Sequence, residues 1–217
     1  KILKSSGTSG FNSKIYLTRE NSIMQSVILK KLMMENIGTY KIPMVILEKN
    51  INSNKNYLSA REAGTLGFSY IASKKINIDI SKKSFVHDLR KFVKEFKNQK
   101  ILIFGFTDTI WKSLIKKNQN LDLSNCILLH GGGWKKLENK KIGKLLFKKI
   151  LYERYNFYKI INYYGLIEQV GSIFFECDKG YFHTSIYSDI FIRDKYLNDL
   201  RKNNNGLVHL LSLLPTS

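Results

Sequence analysis

Apolar residues recur along this chain with the two spacings that distinguish amphipathic helices from buried strands. Phe85, Leu89, Phe92 and Phe96 follow one another at intervals of three or four residues, with lysines between them. That spacing predicts a helix with one apolar face. The uninterrupted apolar run at 101–104 comes next and predicts a strand that is covered on both faces.

The same two patterns predict further elements on either side of this pair. We expect helices over about 18–35, 108–116 and 142–153, and buried strands at 44–47, 126–129 and 159–163. Segment 60–67 is consistent with either a short helix or a loop. In the first helix, Ile23, Val27 and Leu32 are predicted to lie on the buried face.

Strands and helices alternate through most of the chain, which predicts right-handed crossovers and a mostly parallel sheet flanked by helices. After residue 172 the pattern changes to short strands separated by turns, at 173–175, 181–183, 189–193 and 207–212. We therefore predict the α/β class, with an α/β domain over 1–172 and a smaller antiparallel β subdomain over 173–217. In an open parallel sheet, ligands bind beyond the carboxyl ends of the strands.

The composition is that of a globular protein with a large positive charge. The 217 residues are 43% hydrophobic and 12% aromatic, which argues against a disordered chain. The net charge of +19 is spread along the chain, which favours solvated faces over a nucleic-acid surface and leaves attraction to an acidic partner open. Two distant cysteines and the lack of a long apolar run predict a cytoplasmic protein without a disulfide framework or transmembrane segment.

A loop of small residues near the start of the chain is the first candidate for binding chemistry. It comprises Ser5, Ser6, Gly7, Thr8, Ser9 and Gly10. Glycines allow backbone N–H groups to point at an anion, and hydroxyl groups add donors, so a phosphate is the natural ligand. The loop lacks the GxxxxGK[ST] pattern of a P-loop, and a plain flexible linker is the alternative interpretation.

A glycine triplet at the end of a predicted strand is the second candidate. The segment is His130-Gly131-Gly132-Gly133-Trp134. Esterases use a His-Gly-Gly-Gly loop as an oxyanion hole, but they also need a Gly-x-Ser-x-Gly elbow, which does not follow here. The remaining interpretations are a loop that lets a flat ring lie against the backbone and a strand-to-helix turn that binds nothing.

The end of the strand at 159–163 leads into the third candidate, which contains Tyr164, Gly165 and Glu168. An aromatic side chain at a strand end can stack on a purine. A carboxylate a few residues later can hold a Mg²⁺ ion that bridges phosphates. The alternative interpretation is a core tyrosine followed by a surface glutamate.

The order and separation of these three segments resemble the adenylate-forming superfamily of acyl-CoA synthetases and their relatives. That superfamily opens with a Ser/Thr/Gly loop and later carries a Tyr-Gly-x-Thr-Glu signature. The second signature appears here over 164–168, with Ile167 at the usual threonine position. Within the superfamily the chain most resembles the LuxE-type acyl-protein synthetases, over nearly its whole length. This closer resemblance rests on the residues at 131–135, 164–169, 183, 188–194, 206–208 and 213–215.

The resemblance implies a ligase that activates a fatty or other carboxylic acid with ATP and Mg²⁺ as acyl-AMP and then passes the acyl group to a thiol. By this resemblance the loop at 5–10 holds the ATP phosphates and Glu168 holds Mg²⁺. The adenine is framed by the second and third segments, at Gly131, Gly132, Gly133, Tyr164 and Gly165. The implied partners are the acid substrate and an acyl-carrier or reductase protein, with no role for nucleic acid.

Several parts that the resemblance implies are not found in these 217 residues. They are a ribose-binding aspartate, a C-terminal lobe with a catalytic lysine, and a late acyl-accepting cysteine, which neither Cys126 nor Cys177 matches. The chain also begins without methionine and stops directly after a strand-like run, so we expect a piece of a longer protein. The alternatives are an acyl- or aryl-CoA ligase resembling phenylacetate–CoA ligase and a non-catalytic nucleotide- or acyl-binding module.

Overall fold

The computed structural model describes residues 2–5, 13–48, 57–117, 119–132, 143–169, 171–200 and 205–214. Within these residues the helices are α1 (Arg19–Ile37), α2 (Ala60–Ser69), α3 (Phe85–Glu95), α4 (Thr107–Ile110) and α5 (Lys144–Tyr155). The strands are β1 (Ile2–Lys4), β2 (Lys14–Tyr16), β3 (Ile42–Ile46), β4 (Tyr57–Ser59), β5 (Ala72–Asn77), β6 (Ile101–Phe106), β7 (Cys126–Gly131), β8 (Lys159–Gly165), β9 (Ile173–Glu176), β10 (Phe182–His183), β11 (Ser188–Arg193), β12 (Asp199–Leu200) and β13 (Leu207–Ser212).

A seven-stranded sheet in the order β10-β9-β8-β7-β6-β3-β5 forms the largest element of the fold. Strands β5, β3, β6, β7 and β8 pair in parallel, whereas β9 and β10 pair antiparallel. The predicted α/β class with a mostly parallel sheet is therefore confirmed. A separate antiparallel sheet in the order β12-β11-β13 follows. Strands β9 and β10 were predicted for the smaller subdomain, but they extend the large sheet instead.

The chain divides into two compact units. The sheet unit comprises Thr39–Ser53 and Thr65–Tyr163, and the mixed unit comprises Lys1–Gly38, Asn54–Gly64 and Tyr164–Ser217. The core of the sheet unit contains aliphatic side chains from the central strands, together with apolar residues of α3 and α5. Every residue of β6 and of β7 is buried, which confirms strands covered on both faces by helices.

Helix α1 of the mixed unit begins and ends close to the predicted bounds. Thr18 caps its first turn by accepting a hydrogen bond from the Asn21 N–H at 3.2 Å, and Gly38 ends it in the left-handed conformation. Its predicted buried face is wrong in part, because Ile23 and Val27 are 56% and 42% exposed. The buried apolar positions are Ile28, Leu29, Leu32 and Met33.

Strands β1, β2 and β4 make a small sheet in the mixed unit that the sequence patterns did not predict. Strand β1 pairs antiparallel with β2 and parallel with β4, and each has only three residues, too few for a periodic signal. Strand β5 was also missed, because its lysine-bearing sequence has no apolar run. In the part of the chain that the structure describes, no helix is both long enough and apolar enough to cross a membrane.

Candidate functional site

The carboxyl ends of β6, β7 and β8 lie side by side at one edge of the parallel sheet. Phe106 pairs with Gly131 across β6 and β7, and Gly131 pairs with Tyr163 across β7 and β8. Two of the glycines of the predicted triplet, Gly131 and Gly132, therefore lie at the edge where ligands bind in open α/β sheets. Gly133 lies outside the described residues.

Gly131 lies directly against Tyr163, the neighbouring residue on β8. A Cβ atom on Gly131 would come within 2.6 Å of the Tyr163 ring and 2.5 Å of its carbonyl oxygen, so no larger residue fits there without movement. The Tyr163 ring is held in turn by Phe68, with ring centroids 4.8 Å apart. Gly132 follows with φ of 58°, a conformation that favours glycine. The turn thus packs against an aromatic ring, and of its two described glycines Gly132 is the exposed one.

A buried polar pair lies beneath this edge. Thr107, the first residue of α4, and His130, the last residue before the glycines, approach to 3.0 Å between Oγ1 and Nδ1, and both are buried. Burial lowers the pKa of His130 to about 3, and the nearby Lys148 and Lys144 charges act in the same direction. The imidazole is therefore neutral at physiological pH. Sequence reasoning included His130 in the glycine segment without giving it a role, and it did not select Thr107.

Helix α4 begins directly at the end of β6 and changes its hydrogen bonding after one turn. Residues Trp111–Ile115 form a π-helical turn, and the Ser113 hydroxyl donates to the Thr109 carbonyl at 2.9 Å. Such π-helical segments are frequent at functional sites. The predicted helix over 108–116 is confirmed, with this local irregularity next to the sheet edge.

In the mixed unit, Tyr164 and Gly165 are the last two residues of β8 and are exposed. The Tyr164 ring is stacked near Phe174, with centroids 6.3 Å apart and an interplanar angle of 26°, and it is 46% exposed. The ring also lies near Phe182, with centroids 6.2 Å apart, so Tyr164 is half-exposed at the rim of a small aromatic cluster. A Cβ atom at Gly165 would make only ordinary contacts, the nearest being the Ser172 carbonyl oxygen at 3.6 Å.

Glu168 lies in the turn that follows β8. Its side chain is exposed, and the turn is closed by a hydrogen bond from the Gln169 N–H to the Leu166 carbonyl at 3.3 Å. Mg²⁺ at nucleotide sites is usually held by one or two carboxylates and the substrate phosphates. An exposed single carboxylate fits that donor set, and among the described residues no group of three or more potential metal ligands is found.

The end of the same turn contains a glycine that sequence reasoning missed. Gly171 has φ of 84°, and a Cβ atom there would lie 2.5 Å from Cδ1 of Leu214. The next residue, Ser172, is buried and donates its N–H to the Gln169 carbonyl at 3.2 Å. The turn carrying Glu168 is therefore pinned at its far end by a contact that only glycine allows.

The predicted phosphate loop begins at Ser5, whose backbone N–H donates to the Ser13 carbonyl at 3.0 Å. The Ser5 hydroxyl oxygen accepts from the Ser13 N–H at 2.8 Å. Ser5 thus closes the loop and uses its hydroxyl oxygen within the hairpin. The other predicted residues of this loop, Ser6, Gly7, Thr8, Ser9 and Gly10, lie outside the described residues.

Several solved structures share this fold. The N-terminal subdomain of Klebsiella oxytoca NpsA in complex with 3-hydroxyanthranilyl-AMSN matches with a TM-score of 0.60 and 11% identity, over 99% of this chain and 50% of that one. VinN matches with a TM-score of 0.65 and 10% identity, over 100% and 50% of the two chains. The anthranilate CoA ligase AuaEII in complex with anthranoyl-AMP matches with a TM-score of 0.67 and 14% identity, over 99% and 39%.

These matches show the fold, and the chain spans half or less of each matched chain. The chain itself belongs to the acyl-protein synthetase (LuxE) family, whose profile matches residues 1–217. The resemblance inferred from the three segments is confirmed at this level. A comparison with curated proteins gives no match.

Proposed function

We propose that this chain forms the nucleotide- and acyl-adenylate-binding part of a ligase that activates a fatty or other carboxylic acid with ATP. In the first step a carboxylate oxygen attacks the α-phosphorus, an acyl–O–P bond forms, and the bond to pyrophosphate breaks. A thiol then attacks the acyl carbon and AMP leaves. Membership of the LuxE acyl-protein synthetase family over the whole chain carries this proposal.

The glycine turn at the carboxyl edge of the sheet supports adenine binding. Gly132 is exposed and has no side chain, so a flat ring can approach its peptide plane closely, beside the Tyr163 ring that packs against Gly131. The exposed Tyr164 face supplies an aromatic surface of the kind that stacks on a purine. We assign the adenine to Gly131, Gly132, Gly133, Tyr164 and Gly165 on these grounds.

The phosphates are assigned to the first loop. Its six residues, Ser5, Ser6, Gly7, Thr8, Ser9 and Gly10, offer backbone N–H and hydroxyl donors in a glycine-rich sequence. Attack of one anion on another depends on charge neutralisation and positioning, which such donors supply. Glu168 is assigned to a Mg²⁺ ion, which would neutralise phosphate charge when bound.

Bound ligands of two matched structures agree with this chemistry. The NpsA subdomain was solved with 3-hydroxyanthranilyl-AMSN and AuaEII with anthranoyl-AMP, so this architecture accommodates an acyl group joined to adenosine. For the acceptor we favour a protein or carrier thiol, because the family is one of acyl-protein synthetases. Coenzyme A is the alternative acceptor, since a CoA ligase shares the fold.

ATP–pyrophosphate exchange tests the first step. Full-length protein incubated with labelled pyrophosphate, ATP, Mg²⁺ and carboxylic acids of increasing chain length should form labelled ATP only with its substrate acid. Glu168→Gln should reduce exchange at least tenfold at limiting Mg²⁺, whereas Glu153→Gln, which removes another exposed carboxylate, should leave it unchanged. No exchange with any acid would refute the ligase proposal and leave a nucleotide- or acyl-binding module.

A further inference from the structure

A positively charged groove lies at the opposite edge of the sheet unit from the glycine turn. We call it the α3 groove: residues 90–97 of α3 and the turn after it form one wall, and residues 120–125 form the other. Its volume is about 420 Å³. Strands β6 and β7 begin beside it, at Ile101 and Cys126. Strands β6 and β7 each have six residues, so about 20 Å separates the α3 groove from the carboxyl edge of the sheet.

Hydrogen bonds hold the two walls of the α3 groove at a fixed separation. At one end Nη2 of Arg90 donates to the Asn120 carbonyl at 2.9 Å. At the other end Nδ2 of Asn125 donates to the carbonyls of Phe96 and Gln99 at 3.2 and 3.0 Å. The groove is thus preformed, which reduces the entropy cost of binding to it.

Three cations follow one another along the α3 wall. Arg90 and Lys94 are four residues apart on one side of α3, and Lys97 follows in the turn after the helix. All three line the groove. All three are exposed, and among the described residues Lys94 and Lys97 make no ion pair. The opposing Asp122 carboxylate accepts hydrogen bonds from the Ser124 N–H and hydroxyl at 3.2 and 3.1 Å. The groove therefore has a net positive charge.

From this geometry we infer that the α3 groove binds an acidic segment of a partner protein. The cationic row extends over about 10 Å, whereas a single phosphate or carboxylate can contact only part of it. Carboxylates repeated at three- and four-residue intervals on a helix match the whole row. The half-buried Val93 also lines the groove and offers an apolar contact to such a segment, with the buried Leu121 in the opposite wall.

The lining of the α3 groove favours protein over single-stranded nucleic acid as the ligand. Proteins that bind single strands combine cations with aromatic side chains on which bases stack. All ten residues that line this groove are described, and none is aromatic. Apolar side chains and a row of cations on one wall instead correspond to the contacts that a peptide with acidic and apolar positions can make.

Fluorescence anisotropy with two labelled 15-residue peptides of identical composition tests the inference. One peptide has glutamates on one helical face at i, i+4 and i+7, and the other distributes them around the helix. In 150 mM NaCl the first should bind the 217-residue chain at least fivefold more tightly. Equal affinity for both peptides would overturn the inference, because unspecific attraction to a protein of charge +19 predicts that result.

Charge reversal locates the binding. The triple variant R90E/K94E/K97E should weaken binding of the patterned peptide at least tenfold. The matched variant K14E/K30E/K179E changes the net charge equally at exposed lysines elsewhere and should weaken it less than threefold. Equal losses of affinity in the two triple variants would refute the groove as the site. Displacement of the peptide by a 15-base-pair DNA duplex, with duplex binding that depends on the same three residues, would refute it as well. If the triple variant melts early, K94Q/K97Q replaces it, with at least a threefold loss expected.

Discussion

Gly131 and Tyr163 are 32 positions apart in the chain, yet a single added carbon on Gly131 would lie 2.5 Å from the Tyr163 carbonyl oxygen. The contact forms because β7 and β8 pair in parallel with these two residues opposite each other. Since backbone cannot move aside as a flexible side chain can, this position accepts glycine alone. The close packing of the glycine turn at the carboxyl edge of the sheet depends on that restriction.

Gly131→Ala should therefore lower the free energy of unfolding by about 1–3 kcal/mol, the usual cost of forcing a methyl group into a packed position. Urea denaturation measures the loss. Gly67→Ala is the control, because a Cβ atom at this helical position meets nothing within 4 Å, and it should stabilise by about 0.5–1 kcal/mol. Tyr163→Ala should not rescue Gly131→Ala, since the carbonyl contact remains. Full rescue would show that the ring alone excludes a side chain.

The burial of His130 should make stability depend on pH. Its pKa is about 3 in the folded protein and about 6.5 when unfolded, so the unfolded chain takes up a proton between these values. The stabilisation is present above pH 6.5 and is lost as the pH falls towards 3. Between pH 6 and pH 4 the free energy of unfolding should fall by about 2 kcal/mol more than in His130→Gln.

Urea denaturation at several pH values checks this slope. Thr107→Val removes the hydroxyl that contacts His130 but keeps the imidazole buried, so it should lower stability without changing the pH dependence. If the free energy of unfolding changed with pH equally in the wild type and in His130→Gln, the proposal of a neutral buried imidazole would be contradicted.

The two cysteines should differ in reactivity. Burial raises the pKa of Cys126 to about 12, which leaves almost no thiolate at pH 7. Hydrogen bonds from the Tyr181 backbone and the His183 side chain lower the pKa of Cys177. Iodoacetamide should therefore modify one thiol per native chain, at Cys177, because the thiolate is the nucleophile.

Mass spectrometry of the labelled protein locates the modified residue and follows its rate. His183→Ala should slow the labelling of Cys177 several-fold at pH 7, and Cys177→Ser should leave the native protein unlabelled until denaturant is added. Rapid labelling of Cys126 in the native protein would contradict its burial.

Gly171→Ala should destabilise the turn that carries Glu168 by more than about 1 kcal/mol, because φ of 84° is unfavourable for alanine. The added methyl group would also strike Leu214. Leu214→Ala removes that clash but not the strained φ, so the double variant should recover only part of the loss. Thermal melting of the single and double variants separates the effect of the strained φ from that of the clash. Complete recovery of the melting temperature in the double variant would show that φ contributes nothing. Gly165→Ala, with only ordinary contacts, is the control.

Several elements followed from the sequence because their signals are local. The three buried residues of α3, Phe85, Leu89 and Phe92, lie on one face, and the apolar runs of β6 and β7 are buried at every residue. The glycine triplet and the signature at 164–168 also indicate the family from the sequence alone. Strands β1, β2 and β4 were missed because three residues are too short for a period, and β5 because lysines interrupt it.

The buried face of α1 could not be predicted in the same way. Apolar residues occur all around this helix, so its sequence does not distinguish the side that Ile23 and Val27 occupy from the side of Ile28 and Leu32. Only tertiary packing makes that choice. The strands β9 and β10 present a similar case, since their sequences are compatible with either sheet and pairing alone assigns them to the large one.

By itself the sequence determined the class of fold, the family and the strand ends at which candidate residues occur, because periodicity and short motifs are properties of neighbouring residues. Tertiary structure alone decided that Gly131 meets Tyr163, that Thr107 and His130 form a buried pair, and that α3 and residues 120–125 enclose a groove. Each of these features joins residues at least 20 positions apart. Their distances depend on strand register and packing, which no local pattern encodes.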